Sequence, residues 1–315
     1  MTVNEALGAH LQPFAGITTF MRQPATRQLV GADVAVMGVP VDSGVSHRPG
    51  CRFGPRKIRE LSLLLWGYNN VLGVAPLDHL SLVDYGDVNA PPVDLRAAHA
   101  AIEAEAAAVL EAGCTLLALG GDHSVSLPLL RAHARRHGAL AVVHFDAHPD
   151  CWESEFPGHP YSHGTPFRHA LQEGLIDPAA YVQIGIRGST SSAGDYDDAR
   201  ALGARIITAD EAQARGVQAV LAEVQAQMGQ RKVYVSLDID AADPAYAPGT
   251  GTPEVGGFSS RELLQYVRGL RPLHLVGFDI VEVSPPYDHG DITAVLAANL
   301  AFEFLSLLAL RRKNA

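Results

Sequence analysis

Three short stretches of the chain concentrate acidic and imidazole side chains. The first is His144-Phe145-Asp146-Ala147-His148-Pro149-Asp150, with Asp146, His148 and Asp150 at alternate positions. The second is Val233-Tyr234-Val235-Ser236-Leu237-Asp238-Ile239-Asp240, with Asp238 and Asp240 two apart. The third is Leu119-Gly120-Gly121-Asp122-His123-Ser124. Each ends an apolar run of strand type, and alternate side chains of an extended segment share a face. Gathered together, the carboxylates of Asp146, Asp150, Asp238 and Asp240 repel one another unless a cation neutralises them. His123 and His148 add imidazole nitrogens, and no sulfur joins the set. Those donors suit Mn(II), admit Ni(II), Co(II), Fe(II) or Zn(II), and suit Mg(II) less. Four carboxylates balance two divalent ions. Two such ions roughly 3.5 Å apart could hold a water between them and bring its pKa towards neutrality, giving a nucleophile for an electron-poor carbon.

Nearby residues have plainer readings. Asp122 follows two glycines and precedes a helix, so it is either a turn residue or a further ligand. His144 lies one step deeper in its strand and reads as a buried, hydrogen-bonded histidine. Cys151 reads as a bystander and Cys51 and Cys114 as core. His163 sits on a loop, in Tyr161-Ser162-His163-Gly164-Thr165. The stretch from Asp240 to Gly257 is long and rich in Pro and Gly, and long ordered loops after strands shape pockets. Glu282 ends the next strand, where its carboxylate could grip a planar guanidinium through two parallel hydrogen bonds.

The elements that position these groups are strands expected over 33–39, 80–85, 115–119, 140–145, 181–186, 205–208, 232–239 and 273–280. Helices are expected over 97–112, 125–137, 210–228, 259–269 and 291–310, with Ser124, Asp210 and Ser259 or Ser260 as caps. Alternating strands and helices predict an α/β fold with a mostly parallel sheet covered on both faces. Ligands of such sheets bind beyond the carboxyl ends of the strands, where all three motifs fall.

The chain has 315 residues, 47% hydrophobic and 18% charged, with a formal net charge of −10. No linker or composition shift divides it, so one domain over residues 1–315 is expected. The acidic balance and lack of a basic run speak against nucleic acid or a membrane surface as partner. Three cysteines without metal-ligand spacing, and no signal-like segment over residues 1–12, point to a reducing, cytoplasmic setting. Residues 292–310 are apolar over about the length of a membrane span. Asn299, Glu303 and Ser306 interrupt them, so a buried C-terminal helix is expected.

The ordered set of motifs resembles the ureohydrolases, the family of arginase and agmatinase. The resemblance also takes in Phe14-Ala15-Gly16-Ile17, Gly38-Val39-Pro40 and Arg48-Pro49-Gly50-Cys51-Arg52-Phe53-Gly54-Pro55, and it runs almost the whole chain. It implies a three-layer α/β/α fold, with about eight strands, and two manganese ions per chain, nickel or cobalt being alternatives. His123, Asp146, Asp150 and Asp238 would hold one ion. Asp146, His148, Asp238 and Asp240 would hold the other. His163 matches the loop histidine that passes a proton to the departing amine, and Glu282 the carboxylate that orients the guanidinium. The implied reaction converts a small guanidino compound to urea and a primary amine, in a homo-oligomer, trimeric or hexameric.

The block at Arg48 and the ending Glu282-Val283-Ser284-Pro285-Pro286-Tyr287-Asp288 look like the agmatinase branch. Glu153 and Glu155 would suit the second positive charge of agmatine, or else are solvated surface residues. Guanidinobutyrate and guanidinopropionate are alternatives, with Arg48 or Arg22 as a carboxylate clamp and Trp152 walling off a shorter pocket. Two readings of other classes are a deacetylase of related architecture with a single zinc, and a non-catalytic metal-binding protein.

Overall fold

The structure is a computed structural model that describes Gln12, residues 14–192 and residues 194–313. The expectation of no signal segment over residues 1–12 lies almost wholly outside the described residues. Eight strands form one sheet: β1 (Val34–Gly38), β2 (Leu82–Asp87), β3 (Thr115–Leu119), β4 (Leu140–Phe145), β5 (Ile176–Ile186), β6 (Arg205–Thr208), β7 (Lys232–Asp238) and β8 (His274–Val281). Their order is β2-β1-β3-β8-β7-β4-β5-β6. Every pairing is parallel, so all carboxyl ends lie along one edge.

Nine helices among the described residues cover the sheet: α1 (Gly54–Ser62), α2 (Leu95–Glu111), α3 (Ser126–His137), α4 (Pro166–Gln172), α5 (Asp195–Ala201), α6 (Ala209–Arg215), α7 (Val217–Met228), α8 (Ser260–Gly269) and α9 (Ile292–Lys313). The alternation of strand side chains separates two cores. Ala141, Val143 and Phe145 pack with α1, α7, α8 and α9, whereas Leu140 and Val142 pack with α2 and α3. Helices on both faces make the expected three layers.

Local readings differ in several places. The helix expected over 210–228 is two, because Gly216 takes φ 78° between α6 and α7, and the cap is Thr208 rather than Asp210. Ser124 does not cap α3. Asp122 accepts from the Ser124 N–H and opens a 3-10 turn, His123–Val125, ahead of that helix. Ser259 does cap α8, in a reciprocal pair with Glu262. Strand β5 starts at Ile176, earlier than its β-branched run suggested. Helices α1, α4 and α5 were not anticipated; each is short, and α1 and α4 open with Pro in the first turn.

Helix α9 is buried along most of its length, against α1 and α8. The protein itself covers the apolar surface that made it resemble a membrane span. Glu303 is tolerated there because Arg268 pairs with one carboxylate oxygen and the Asn69 amide donates to the other. Removing one partner of a buried pair strands the other charge. Arg268→Ala should cost about 3 kcal/mol in denaturant unfolding, and adding Glu303→Gln should recover much of the loss. Equal stability of Arg268→Ala and the parent would refute the pairing.

Candidate metal centre

Four adjacent central strands supply the site. In spatial order β3 leads to His123, β8 to Glu282, β7 ends on Asp238, and β4 leads to Asp146. The side chains do not converge simply by strand alternation. Asp150 turns back through φ 45°, and Glu282 sits at φ 62°. Such left-handed backbone at a non-glycine residue costs of order 1–3 kcal/mol and persists only when surrounding structure enforces it. Asp240 lies on a 3-10 turn, Ile239–Ala241, and its N–H donates to the Asp238 carboxylate.

The six expected ligands come together. His123 Nδ1 lies 3.0 Å from Asp146 Oδ2, 2.9 Å from Asp150 Oδ2 and 3.2 Å from Asp238 Oδ2. His148 Nδ1 lies 3.1 Å from Asp240 Oδ2 and 3.5 Å from Asp146 Oδ1. These make two groups able to hold an ion: His123, Asp146, Asp150 and Asp238, then Asp146, His148 and Asp240. Asp146 belongs to both, whereas Asp238, expected in both, falls in the first alone. His144 forms a third group with His123 and Asp146, but its Nε2 is already 2.7 Å from Asp146 Oδ2. Its other nitrogen meets Tyr181 and Gln183, and its ring stacks on Phe167. It is the buried, hydrogen-bonded histidine that the sequence suggested. Burial pulls it down to about 4, so it is neutral.

Three buried atoms of the site are left open to a cation. His123 Nδ1, Asp240 Oδ2 and Glu282 Oε2 are buried without a hydrogen-bond partner, a condition native interiors rarely leave unexplained. Without ions, protons take up the charge. Burial, reinforced by the charge of Asp146, pushes the Asp150 carboxyl up to about 7. Burial opposes charge on His123, yet the adjacent carboxylates of Asp146, Asp150 and Asp238 hold it well above the usual imidazole value.

Around these groups lies a layer of positioning contacts. His123 Nε2 meets Ser236 Oγ at 2.9 Å, and Ser236 donates to Asp279 Oδ1 at 2.7 Å. Such partners fix a ligand histidine's tautomer and ring plane. Asp122 is a turn residue: it accepts from the N–H groups of Ser124 and Gly44. Gly121 passes so close to Val41 that a Cβ would lie 1.7 Å from the Val41 carbonyl oxygen, which locks two loops together beneath the site.

His163 arrives from its loop beside Glu282, with Nδ1 3.0 Å from Oε1. Its Nε2 is 2.7 Å from Ser46 Oγ. Burial opposes a charge on His163, but Glu282 and then Glu155 outweigh it and hold the group at about 10. Glu282 Oε1 also accepts the His123 N–H at 3.0 Å. A cavity of about 230 Å³ opens here, lined by Ser46, Asp150, Trp152, Glu155, His163 and Thr252 among others. Trp152 is fixed by its indole N–H to Asp195 at 3.0 Å. Glu155 accepts the Gly164 N–H, whereas Glu153 is exposed. Arg48 is held 5.0 Å over the Tyr287 ring. Arg22 is instead on a 3-10 turn packed against α1.

Sequence reasoning missed Ser46, Ser236, Asp279, Glu254 and Arg187. Glu254 Oε1 lies 3.7 Å from His148 Nε2. Arg187 donates to the carbonyls of Asp240 and Glu254, both at 2.7 Å, and so staples the long loop. A lone Arg after a strand gives no local signal of that role.

A family model described as the arginase family matches residues 32–306. Guanidinopropionase of Pseudomonas aeruginosa is 48% identical over 96% of this chain and 94% of its own. A protein named mitochondrial agmatinase from Gallus gallus is 44% identical over 93% of this chain and 86% of its own. The structure of proclavaminate amidino hydrolase from Streptomyces clavuligerus has a TM-score of 0.91 at 48% identity, covering 94% of this chain and 98% of that one.

A raised carboxyl binds its proton more tightly when folded, so Asp150 withdraws stability from the metal-free protein as pH rises towards 7. A bound cation displaces that proton. Apparent Mn(II) affinity should therefore fall about tenfold per pH unit below 7 for each proton displaced. Thermal shifts on adding Mn(II) to chelator-treated protein should be small at pH 5.5 and large at pH 8; equal shifts would contradict the assignment.

Proposed function

The chain belongs to the arginase family and is a guanidino-compound amidinohydrolase; on that premise we propose how its residues act and which substrates it takes. His123, Asp146, Asp150 and Asp238 would hold one divalent ion. Asp146, His148 and Asp240, joined by Asp238, would hold a second, with manganese the proposed metal. A pair of ions so held supplies Lewis acidity and a water-derived nucleophile at neutral pH.

The chain's own residues do the rest. Glu282 Oε2, buried and without a partner, accepts from the guanidinium N–H groups and aims the central carbon at the carboxylate cluster. His163 protonates the departing amine as a general acid. A group held at about 10 gives up its proton reluctantly at pH 7. A cationic substrate drawing on Glu282 loosens that hold, so proton release is tied to an occupied site. The Glu282–His163 pair beside the two ligand groups is the observation that carries this mechanism.

For the substrate, the cavity lining contains Glu155 and no Lys or Arg. That favours a guanidinium with a second cation on its tail, as in agmatine. A second reading, a guanidino acid, is favoured by Arg48 above Tyr287 and by the relatives named for guanidino acids. The three cysteines are buried and free, which supports a reducing, cytoplasmic setting.

Urea release should be measured with Mn(II) and Ni(II) on agmatine, guanidinobutyrate, guanidinopropionate, guanidinoacetate, arginine and guanidine. Agmatine as best substrate, unaffected by Arg48→Ala, supports the first reading. A guanidino acid whose KM rises about tenfold in Arg48→Ala supports the second. Inertness towards all of them removes both. Asp238→Ala should abolish turnover and lower metal content from two ions per chain. Glu282→Gln should cut kcat/KM by about 100-fold or more while metal content stays at two. A single tightly held zinc would point to deacetylase chemistry instead.

A further inference from the structure

The opposite edge of the sheet holds a second cleft, where β1, β3 and β8 begin at Val34, Thr115 and His274. Its volume is about 430 Å³, with apolar walls from Val34, Leu80, Leu110, Val276 and Leu308. Its rim carries the guanidinium groups of Arg136, Arg311 and Arg312, with His137 and His274 among them. A hollow of about 330 Å³ continues it past His274 and Arg311 to Arg271.

Helix dipoles explain part of this. Arg136 is in the last turn of α3, and Arg311 and Arg312 are in the last turn of α9, where cations are favoured. They do not explain why two such ends converge on one cleft with so little opposing charge. Asp33 is the only carboxylate in its lining, and it pairs with Arg312. Nearby arginines are matched, Arg135 with Glu103 and Arg268 with Glu303. Among the described residues, Arg136, Arg271 and Arg311 have no carboxylate within ion-pair distance. Burial, and after it the charges of Lys232 and Arg136, pull His137 down to about 4. All this occurs in a chain whose net charge is −10.

We propose that this cleft binds a small organic polyanion of the phosphate-ester class. Arg136 and Arg311 grip its charged groups through charge-assisted hydrogen bonds, and the apolar walls hold its carbon skeleton. The cleft volume is within the range of small-molecule sites. Concavity favours a small molecule over a duplex or a membrane, which would need a broad basic face. The ligand does not compete with the guanidino substrate, because the same strands run between the two sites.

The test is calorimetric titration of the metal-loaded enzyme with fructose 1,6-bisphosphate, using fructose as the neutral control, at low and at physiological salt. Saturable binding is expected, at least tenfold weaker in Arg136→Gln/Arg311→Gln and largely kept in Arg311→Lys. Both arginines are exposed, so the variants should fold, and their urea release should match the parent's. Absence of binding at millimolar ligand, equal binding of fructose, or unchanged affinity in the double variant would overturn the proposal. Binding of a DNA duplex in place of the bisphosphate would overturn it as well.

Discussion

Buried negative charge is the constraint on which this architecture turns. Asp146, Asp150, Asp238 and Asp240 are nearly inaccessible to solvent, and none has an Arg or Lys partner among the described residues. Isolated carboxylates so placed would each cost several kcal/mol. Asp146 stands at the centre, touching His123, His144 and His148 at once. Its strand β4 lies beside β7, which brings Asp238 and Asp240. A parallel sheet is what allows this, since it delivers several strand ends, with their loops, to one place.

The surrounding hydrogen bonds make that place rigid. His123 is set from two sides, its backbone N–H by Glu282 and its Nε2 by Ser236, which is held in turn by Asp279. Asp279 is itself a buried carboxylate, raised by burial and satisfied by hydroxyls of Ser126, Tyr234 and Ser236 rather than by a cation. The contrast is chemical. Asp279 meets donors that saturate it, whereas Asp240 Oδ2 and His123 Nδ1 make no hydrogen bond.

Residues that announce themselves by type and spacing were legible from the sequence. The six ligands, His163 and Glu282 stand in motifs, and the strands were mostly placed to within a residue or two. What escaped was set by contacts distant along the chain. Ser46 reaches His163 across 117 positions, and Glu282 reaches His123 across 159. Asp150 and Asp240 converge through turns that the alternation rule does not describe. The cationic cleft was invisible for the same reason. Its members come from the ends of α3 and α9 and the starts of strands, so no basic run exists to be seen.

The ligands sit at or just past strand ends, and the cavity wall comes largely from loops around Trp152, His163 and Thr252. Strands carry stability and loops carry little of it. Mutational drift can therefore reshape the wall while the cage and its reaction persist. Relatives named for different guanidino compounds, at similar identity to this chain, are the outcome that such a division would produce.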